Sequence, residues 1–284
     1  MAAPESLAIA RSHRSVFPYL FTLFFLLAFV DSWRRTEVDP WILFGAEGKA
    51  HLWKLIGGMF PPDLSWRFLS LMVQPTLETI QISIMGILIA VIIGFPFGIL
   101  ATKTFYVRGV LNEAEIQGSL RRRAWRYATY GVARGLLSLF RSIPEFVWAF
   151  MFVRAVGLGP FPGVLAIGVA YGGMLGKVYS EIFESVNERP LEALQSTGAS
   201  KLQIFFYGWF PQILPNFVSY TLYRWECAIR ASAILGLVGA GGLGQQIEIS
   251  MRMFNFNEVL TLLAILFVMV VAADYISAKV RALL

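Results

Sequence analysis

Long apolar runs, separated by short polar or glycine-containing segments, dominate this chain. A helix needs about 20 mainly apolar residues to cross the hydrocarbon core of a bilayer. The apolar runs predict six such helices, over residues 16–33, 76–102, 143–157, 162–186, 213–238 and 259–277. The pattern therefore predicts an all-α, polytopic helical membrane protein with about six transmembrane helices.

The composition agrees with this prediction. Of the 284 residues, 57% are hydrophobic and 15% are charged, whereas about 25% charged residues is usual in soluble domains. The mean hydropathy is +0.63. In a soluble chain the net charge of +6 would suggest a nucleic-acid partner. In a membrane protein it indicates basic loops on the inner side, so we expect membrane lipid and no nucleic acid around this chain.

A polar segment separates the first predicted span from the others. Residues 52–60 are mildly amphipathic, and Pro61, Pro62 and Asp63 end that stretch. We expect it to lie near the outer membrane surface. We therefore divide the chain into an N-terminal transmembrane anchor with a periplasmic interfacial segment, residues 1–75, and a core, residues 76–284.

Basic residues orient the predicted spans. They occur before the first span, after the second and after the sixth, and an even number of spans places these segments on one side. The residues are Arg11, Arg14, Lys103, Arg108, Arg121, Arg122, Arg123, Arg126, Lys279 and Arg281. Because basic loops stay in the cytoplasm, we expect both termini to be cytoplasmic and the protein to be multi-pass. The resemblance described below implies that the membrane is a bacterial inner membrane.

A polar segment over residues 187–212 interrupts the apolar pattern between the fourth and fifth spans. Pro190 suits the first turn of a short helix, where its missing N–H is tolerated. Gly198 can end that helix in a left-handed turn, and Ser200 is a suitable N-cap for the next helix. We predict a helix–turn–helix elbow on the cytoplasmic side, shaped to enter a groove on a soluble partner.

Charged residues inside a predicted span are energetically costly and therefore informative. The fifth span contains Arg224, Glu226 and Arg230. One interpretation is structural: Glu226 neutralises Arg230 at the favourable four-residue spacing, and Arg224 meets another carboxylate such as Glu145. The other is functional: at least one guanidinium faces an aqueous path and favours an oxyanion. The sequence leaves both open.

Two glycine patterns concern packing and backbone shape. Gly168, Gly172 and Gly176 form a smooth ridge on the fourth span, which serves either packing within the chain or dimerisation. Residues 236–244 contain five glycines, too many for a helix, and are too apolar for a free loop. Irregular backbone at membrane depth needs protein or water around it. We predict a bend or re-entrant segment at the outer mouth of a path.

The sequence offers little for catalysis. Cys227 is the single cysteine, which excludes an intrachain disulfide and a multi-thiolate metal site. Metalloprotease, nucleophile-elbow and phosphate-loop motifs are not found, so we expect no cofactor on this chain. Two rival functions remain. An ion-coupled secondary anion carrier would need internal repeats, and a membrane-embedded enzyme acting on lipid phosphates would need a nucleophile or a metal cluster.

The polar elbow resembles the loop that is typical of ABC importer permeases. Glu192, Ala193, Gly198 and Pro211 match the spacing of that loop, with Leu194 in place of its second alanine. Gly208 and Phe210 also replace the usual aliphatic residue and leucine. Further similar segments are Arg141–Glu145, Gly173–Lys177, Thr197–Ser200, Pro211–Pro215, Tyr223–Glu226 and Gly236–Gly244. The segment Tyr223–Glu226, followed by Arg230, favours the phosphonate, phosphite and hypophosphite branch. The glycine-rich segment is similar to that of methionine-type permeases.

This resemblance implies a type I ABC importer transmembrane-domain fold and a role as the membrane subunit of an ATP-driven importer. It implies a homodimer or heterodimer of permeases, a cytoplasmic ATPase dimer that uses ATP and Mg²⁺, and a periplasmic binding protein. The ATPase-coupling residues are expected to be Glu192, Ala193, Leu194, Gly198, Ala199 and Pro211. The substrate path is expected to contain Arg141, Arg224, Glu226 and Arg230. The outer gate is expected to contain Gly239, Gly241, Gly242 and Gly244.

Overall fold

The computed structural model describes residues 17–37, 39, 41–106 and 120–283. The described residues form helices and contain no strand. The helices are α1 Phe17–Arg35, α2 Trp41–Phe44, α3 Ala46–Met59, α4 Trp66–Leu100, α5 Lys103–Tyr106, α6 Leu120–Ser142, α7 Glu145–Val156, α8 Pro160–Glu184, α9 Glu188–Ser196, α10 Lys201–Gln203, α11 Phe210–Gly236, α12 Gly242–Arg252 and α13 Phe256–Arg281. A π-helical turn, Ile204–Trp209, joins α10 to α11. Arg11, Arg14 and Arg108 lie outside the described residues.

The chain divides into two compact units, Met1–Ile56 and Gly57–Leu284. In the first unit, α1 has 19 residues and exposes apolar side chains all round, as a lipid-facing helix does. The second unit contains α4 to α13. The predicted boundary between residues 75 and 76 falls inside α4, which runs without a break from Trp66 to Leu100.

Four described helices are long and apolar enough to cross a membrane: α1, α4, α8 and α13. The pair α6 and α7, bent by 88°, makes a fifth if it counts as one span. The bend falls at Ile143 and Pro144, where the predicted third span begins. The fifth predicted span, residues 213–238, corresponds to α11, which has 27 residues. Its charged residues make it less apolar than the other spans.

α4 is longer than the apolar pattern predicts. Its 35 residues extend about 52 Å. It begins at Trp66 because Ser65 caps it and accepts a hydrogen bond from the Phe68 N–H at 3.3 Å. Pro75 lies in the helix interior without ending it. Asp63 precedes this cap, and the hydrogen bond from the Ser65 N–H lowers its pKa.

The glycine ridge of α8 packs against α4 within the same chain. Gly168, Gly172 and Gly176 are all buried. A Cβ on Gly172 would lie 3.0 Å from Ile93, and one on Gly94 would lie 3.0 Å from the Gly172 carbonyl oxygen. The two backbones therefore approach closely, and α4 covers the ridge. Of the two predicted roles for the ridge, the structure supports packing within the chain.

α6 and α8 are also joined by charges at the end of the bundle next to the elbow. Arg134 forms an ion pair with Glu184 at 3.0 Å. The same Glu184 oxygen accepts a hydrogen bond from the Lys103 N–H at 2.6 Å. Within α8, Lys177 pairs with Glu181 at the four-residue spacing that favours such ion pairs.

Candidate functional site

The elbow begins with α9, whose N-terminus is capped by Asn187. The Asn187 side chain accepts a hydrogen bond from the Arg189 N–H at 3.1 Å. Pro190 lies in the first turn, as predicted, although the helix starts two residues before it. Leu191 is buried, while Glu192 and Ala193 are exposed. One side of α9 is therefore anchored to the bundle, and the side with Glu192 is free to meet a partner.

The turn after α9 matches the prediction. Gly198 has φ +80°, in the left-handed region. Ser200 caps α10 and forms a capping box with Gln203, with bonds of 2.8 and 3.4 Å. A pocket of about 380 Å³ opens beside the turn, and it is lined by Leu194, Thr197, Gly198, Ala199, Gln203 and Tyr207. Three of the six predicted coupling residues, Leu194, Gly198 and Ala199, thus line a concave surface beside the turn.

Gly208 explains one departure from the family pattern. It lies in the π-helical turn beneath α9 and is buried. A Cβ at this position would lie 2.7 Å from Leu191 Cδ2 and 2.8 Å from Leu194 Cδ1. Leu194 replaces the small alanine of the family pattern, and Gly208 replaces the usual aliphatic residue. We infer that the two exchanges compensate each other in volume.

Hydrogen bonds connect the elbow to two long helices. The indole N–H of Trp209 donates to the Phe183 carbonyl near the end of α8 at 3.3 Å. Gln212, in the first turn of α11, accepts from the Asn187 N–H at 3.3 Å and donates to the Gly208 carbonyl at 2.8 Å. Pro211 is exposed in the same first turn of α11. The elbow is therefore attached to both α8 and α11.

Glu226 in α11 pairs with a residue that the sequence analysis did not consider. The Glu226 residue is 7% exposed, and its Oε1 lies 2.8 Å from Arg281 Nη2 at the end of α13. The structural interpretation, in which Glu226 neutralises Arg230, therefore does not describe the pairing in the structure. A tertiary contact has taken the place of the local i,i+4 contact, because α13 packs against α11 and places Arg281 beside the carboxylate.

Arg224 is half-buried and lies among aromatic side chains. Its Nε and Nη2 both donate to the hydroxyl oxygen of Tyr220, at 2.9 and 2.7 Å. The rings of Tyr171, Tyr220 and Tyr223 have their centroids 5.2–5.9 Å from the guanidinium carbon. Arg224 forms no ion pair with Glu145 or with any other described carboxylate, contrary to the structural interpretation of the sequence.

Arg230 is exposed on α11, and its Nη2 donates to the Cys227 sulfur at 3.6 Å. It too forms no ion pair with a carboxylate within the described part of the chain. Arg141 lies apart, exposed in the last turn of α6. Its backbone packs against α8, since a Cβ on Gly173 would lie 2.8 Å from the Arg141 nitrogen. No contact among the described residues joins Arg141 to the α11 charges.

The glycine-rich segment has a shorter irregular part than predicted. Gly239, Gly241 and Gly242 have φ of +95°, +79° and +71°, which bends the backbone after α11. The irregular backbone ends there, since Gly242 begins helix α12, which also contains Gly244. A side chain at Gly244 would overlap the Ala233 carbonyl of α11. The segment is thus a tight bend followed by a closely packed helix, rather than irregular throughout.

Glu78 and Thr79 of α4 hold this bend, and the sequence analysis missed both. Glu78 Oε2 accepts a hydrogen bond from the Gly242 N–H at 3.0 Å, and Thr79 Oγ1 accepts from the Leu243 N–H at 2.8 Å. A carboxylate at a helix N-terminus is stabilised by the helix dipole. The available signal was Glu78 itself, a charged residue inside a predicted span.

Comparison with known proteins agrees with this architecture. Residues 119–282, more than half of the chain, match the family described as "Binding-protein-dependent transport system inner membrane component". The phosphite transport system permease protein PtxC of Stutzerimonas stutzeri is 36% identical over 231 residues, covering 80% of this chain and 75% of that protein. The phosphate-import permease protein PhnE of Mycolicibacterium smegmatis is 28% identical over 255 residues, covering 90% and 44%.

The fold also matches a solved structure. The methionine ABC transporter MetNI in an inward-facing conformation superimposes with a TM-score of 0.63 at 22% sequence identity, covering 77% of this chain and 98% of that one. The predicted type I ABC importer fold is therefore confirmed, as is the relation to methionine-type permeases. From the family match over residues 119–282 and this fold, the chain belongs to the binding-protein-dependent transport system inner membrane components.

Proposed function

We propose that this chain forms the translocation path of an ATP-driven importer for a small phosphorus oxyanion: a phosphonate, phosphite or hypophosphite. The observation that carries the proposal is the charge balance of α11. Glu226 is paired with Arg281, and neither Arg224 nor Arg230 forms an ion pair with a carboxylate among the described residues. The similarity to PtxC, a phosphite permease by name, supports the same class of substrate.

Two unmatched guanidinium groups favour an anion for a physical reason. A charge within a membrane-spanning segment is tolerated where it faces a partner, a cavity or a path. Arg224 is bound to a neutral hydroxyl, and Arg230 to a thiol. Neither acceptor neutralises a positive charge. The planar fork of arginine matches phosphate-like oxygens in bidentate geometry, so the two guanidinium groups of α11 offer attraction to an oxyanion.

The elbow supports a role in coupling to a separate ATPase. Glu192 and Ala193 are exposed above the anchored Leu191, and hydrogen bonds through Trp209 and Gln212 attach the elbow to α8 and α11. In the proposed mechanism, two ATPase subunits bind ATP and Mg²⁺ and grip two such elbows from the cytoplasm. Their closure turns the path from inward-facing to outward-facing.

The proposed assembly contains two permease subunits, either two copies of this chain or this chain and a related one. A periplasmic binding protein delivers the anion to the outer face, at the bend of Gly239, Gly241 and Gly242. Both termini are cytoplasmic in this arrangement. The chain itself is not expected to bind a nucleotide, so ATP hydrolysis belongs to the partner subunit.

The experiment is ATP-driven uptake of phosphite into proteoliposomes that contain the permease, its ATPase and the binding protein. We expect Arg224→Gln and Arg230→Gln each to reduce uptake at least tenfold while the complex still assembles. Arg252→Gln is the matched control, because Arg252 is exposed and paired with Glu248 away from α11. Uptake that needs no ATPase would instead identify an ion-coupled carrier. Normal uptake by both α11 variants would contradict the proposed path.

A further inference from the structure

Tyr220 occupies the edge of Arg224 that usually binds oxyanions. It precedes Arg224 by one helical turn, and its hydroxyl oxygen accepts hydrogen bonds from Nε at 2.9 Å and from Nη2 at 2.7 Å. These two N–H groups form one side of the guanidinium fork, which normally binds two oxygens of a carboxylate or phosphate in parallel. Here a single neutral oxygen satisfies both.

This arrangement leaves binding capacity unused. A hydrogen bond between a cation and a neutral acceptor is weaker than one between two ions. An oxyanion therefore has an energetic advantage over the phenol at the Nε–Nη2 edge. The hydroxyl proton of Tyr220 cannot bond to Arg224, because a guanidinium has no acceptor. That proton is thus available to a third atom.

The surroundings favour electrostatic binding. Tyr171 is 4% exposed, and Arg224 is half-buried beside its ring. Water is therefore partly excluded from the guanidinium, and attraction to an anion is stronger there than in bulk solvent. On the more open side Tyr223 is 46% exposed, so a small ligand can reach the pair.

We propose that Tyr220 and Arg224 form an oxyanion subsite in which Tyr220 holds the arginine fork when the site is empty and donates its O–H to the anion when it is filled. This inference rests on the proposed function, since it assigns the binding step of that path. The subsite supplies two N–H donors and one O–H donor. It favours an anion with two oxygens on one atom, such as phosphite or hypophosphite, over a halide, because two oxygens can accept from the two parallel N–H groups separately.

The test measures binding without the ATPase or the binding protein. Phosphite is added to the purified permease in detergent, and binding is followed by broadening of the phosphite signal in phosphorus NMR. Hypophosphite is expected to reverse the broadening, and an equal concentration of chloride is not. Tyr220→Phe is expected to weaken phosphite binding about tenfold, as for a lost hydrogen bond to a charged group. Tyr275→Phe, an exposed tyrosine on α13, is the matched control and is expected to bind as the wild type does.

The outcomes separate this inference from the proposed function. Thermal unfolding shows whether Tyr220→Phe is folded. Equal binding by Tyr220→Phe and wild type overturns the subsite, even if the complete importer transports phosphite. Displacement of phosphite by chloride also overturns the subsite. If Tyr220→Phe loses binding because it unfolds, Tyr220→His, which keeps a hydrogen-bond donor, is the second variant, and its failure to restore part of the binding overturns the subsite as well. A wild-type importer that transports no phosphorus oxyanion overturns the proposed function, even if the purified permease binds phosphite through Tyr220.

Discussion

Arg281, at the end of α13, holds the buried carboxylate of Glu226 at 2.8 Å and so keeps it from Arg230, its neighbour on the same helix. This contact fixes α13 against α11. It also decides the charge balance of the proposed path, because the single carboxylate of α11 is neutralised from outside that helix.

Removing Arg281 is expected to destabilise the protein. Arg281→Ala leaves Glu226, 7% exposed, without its ion-pair partner. We expect a loss of about 2 kcal/mol, below the range for a fully buried pair because Arg281 is partly exposed. Thermal unfolding of the purified protein measures the effect, and Lys279→Ala, at an exposed neighbour, is the control. Adding Glu226→Gln to Arg281→Ala is expected to restore part of the stability. Equal melting temperatures of Arg281→Ala and Lys279→Ala would show that the ion pair between Arg281 and Glu226 does not stabilise the protein.

Gly244 is expected to tolerate no side chain. Its missing Cβ allows α12 to pack on the Ala233 carbonyl of α11, and that oxygen is backbone and cannot rotate away. Gly244→Ala should therefore lower the free energy of unfolding by about 2 kcal/mol or more. Gly131→Ala on α6 is the control, because nothing lies within 4 Å of a Cβ there. The melting temperatures of the two variants measure the effect. A wild-type melting temperature for Gly244→Ala would contradict the observed packing.

Glu78 is expected to stabilise the bend mainly as a hydrogen-bond acceptor for the Gly242 N–H, and less through its negative charge. Glu78→Gln keeps an oxygen for the Gly242 N–H and should change stability little. Glu78→Ala leaves that N–H without its partner and should cost about 1 kcal/mol, as loss of a helix cap does. Chemical or thermal unfolding of the two variants provides the comparison. Equal stability of both would mean that the cap contributes nothing.

Gly198→Asp is expected to abolish ATP-driven uptake while the protein still inserts into the membrane. The turn has room for a side chain, since nothing lies within 4 Å of a Cβ at Gly198. Aspartate tolerates the left-handed backbone better than most residues do, so the damage is expected at the surface that meets the ATPase. Gly131→Asp on α6 is the control for a new carboxylate at an open position, because nothing lies within 4 Å of a Cβ there. Transport assays with immunoblots of the membrane fraction test this. Wild-type uptake by Gly198→Asp would count against coupling through the elbow.

The orientation of the elbow can be tested by labelling. In a Cys227→Ser background, Ala193→Cys should react with a membrane-impermeant maleimide in inverted membrane vesicles and stay unreactive in intact spheroplasts. Met253→Cys, between α12 and α13 and 66% exposed, should show the opposite pattern. Labelling of residue 193 from outside would reverse the proposed topology.

The sequence was most informative where structure depends on neighbours along the chain. The turn at Gly198 and the cap at Ser200 follow from backbone conformation and a three-residue spacing, and both were confirmed. The predicted start of the third span at residue 143 also coincides with the bend between α6 and α7. These features need no knowledge of what packs against them.

Contacts between distant residues could not be predicted in the same way. For Glu226 the sequence offers Arg230 as a partner at helical spacing, but only the packing of α13 on α11 brings Arg281 closer. The contact of Glu78 with the Gly242 N–H likewise depends on the approach of α4 to the start of α12. Helical periodicity specifies which residues share a face, and it does not specify which helix that face meets.

The indole of Trp209 has a mechanical consequence. Its bond to the Phe183 carbonyl joins the foot of α11 to the foot of α8, directly beneath the elbow. A displacement of α9 is therefore transmitted to α8 and α11 together, because hydrogen bonds make the connection between α9 and α11 rigid.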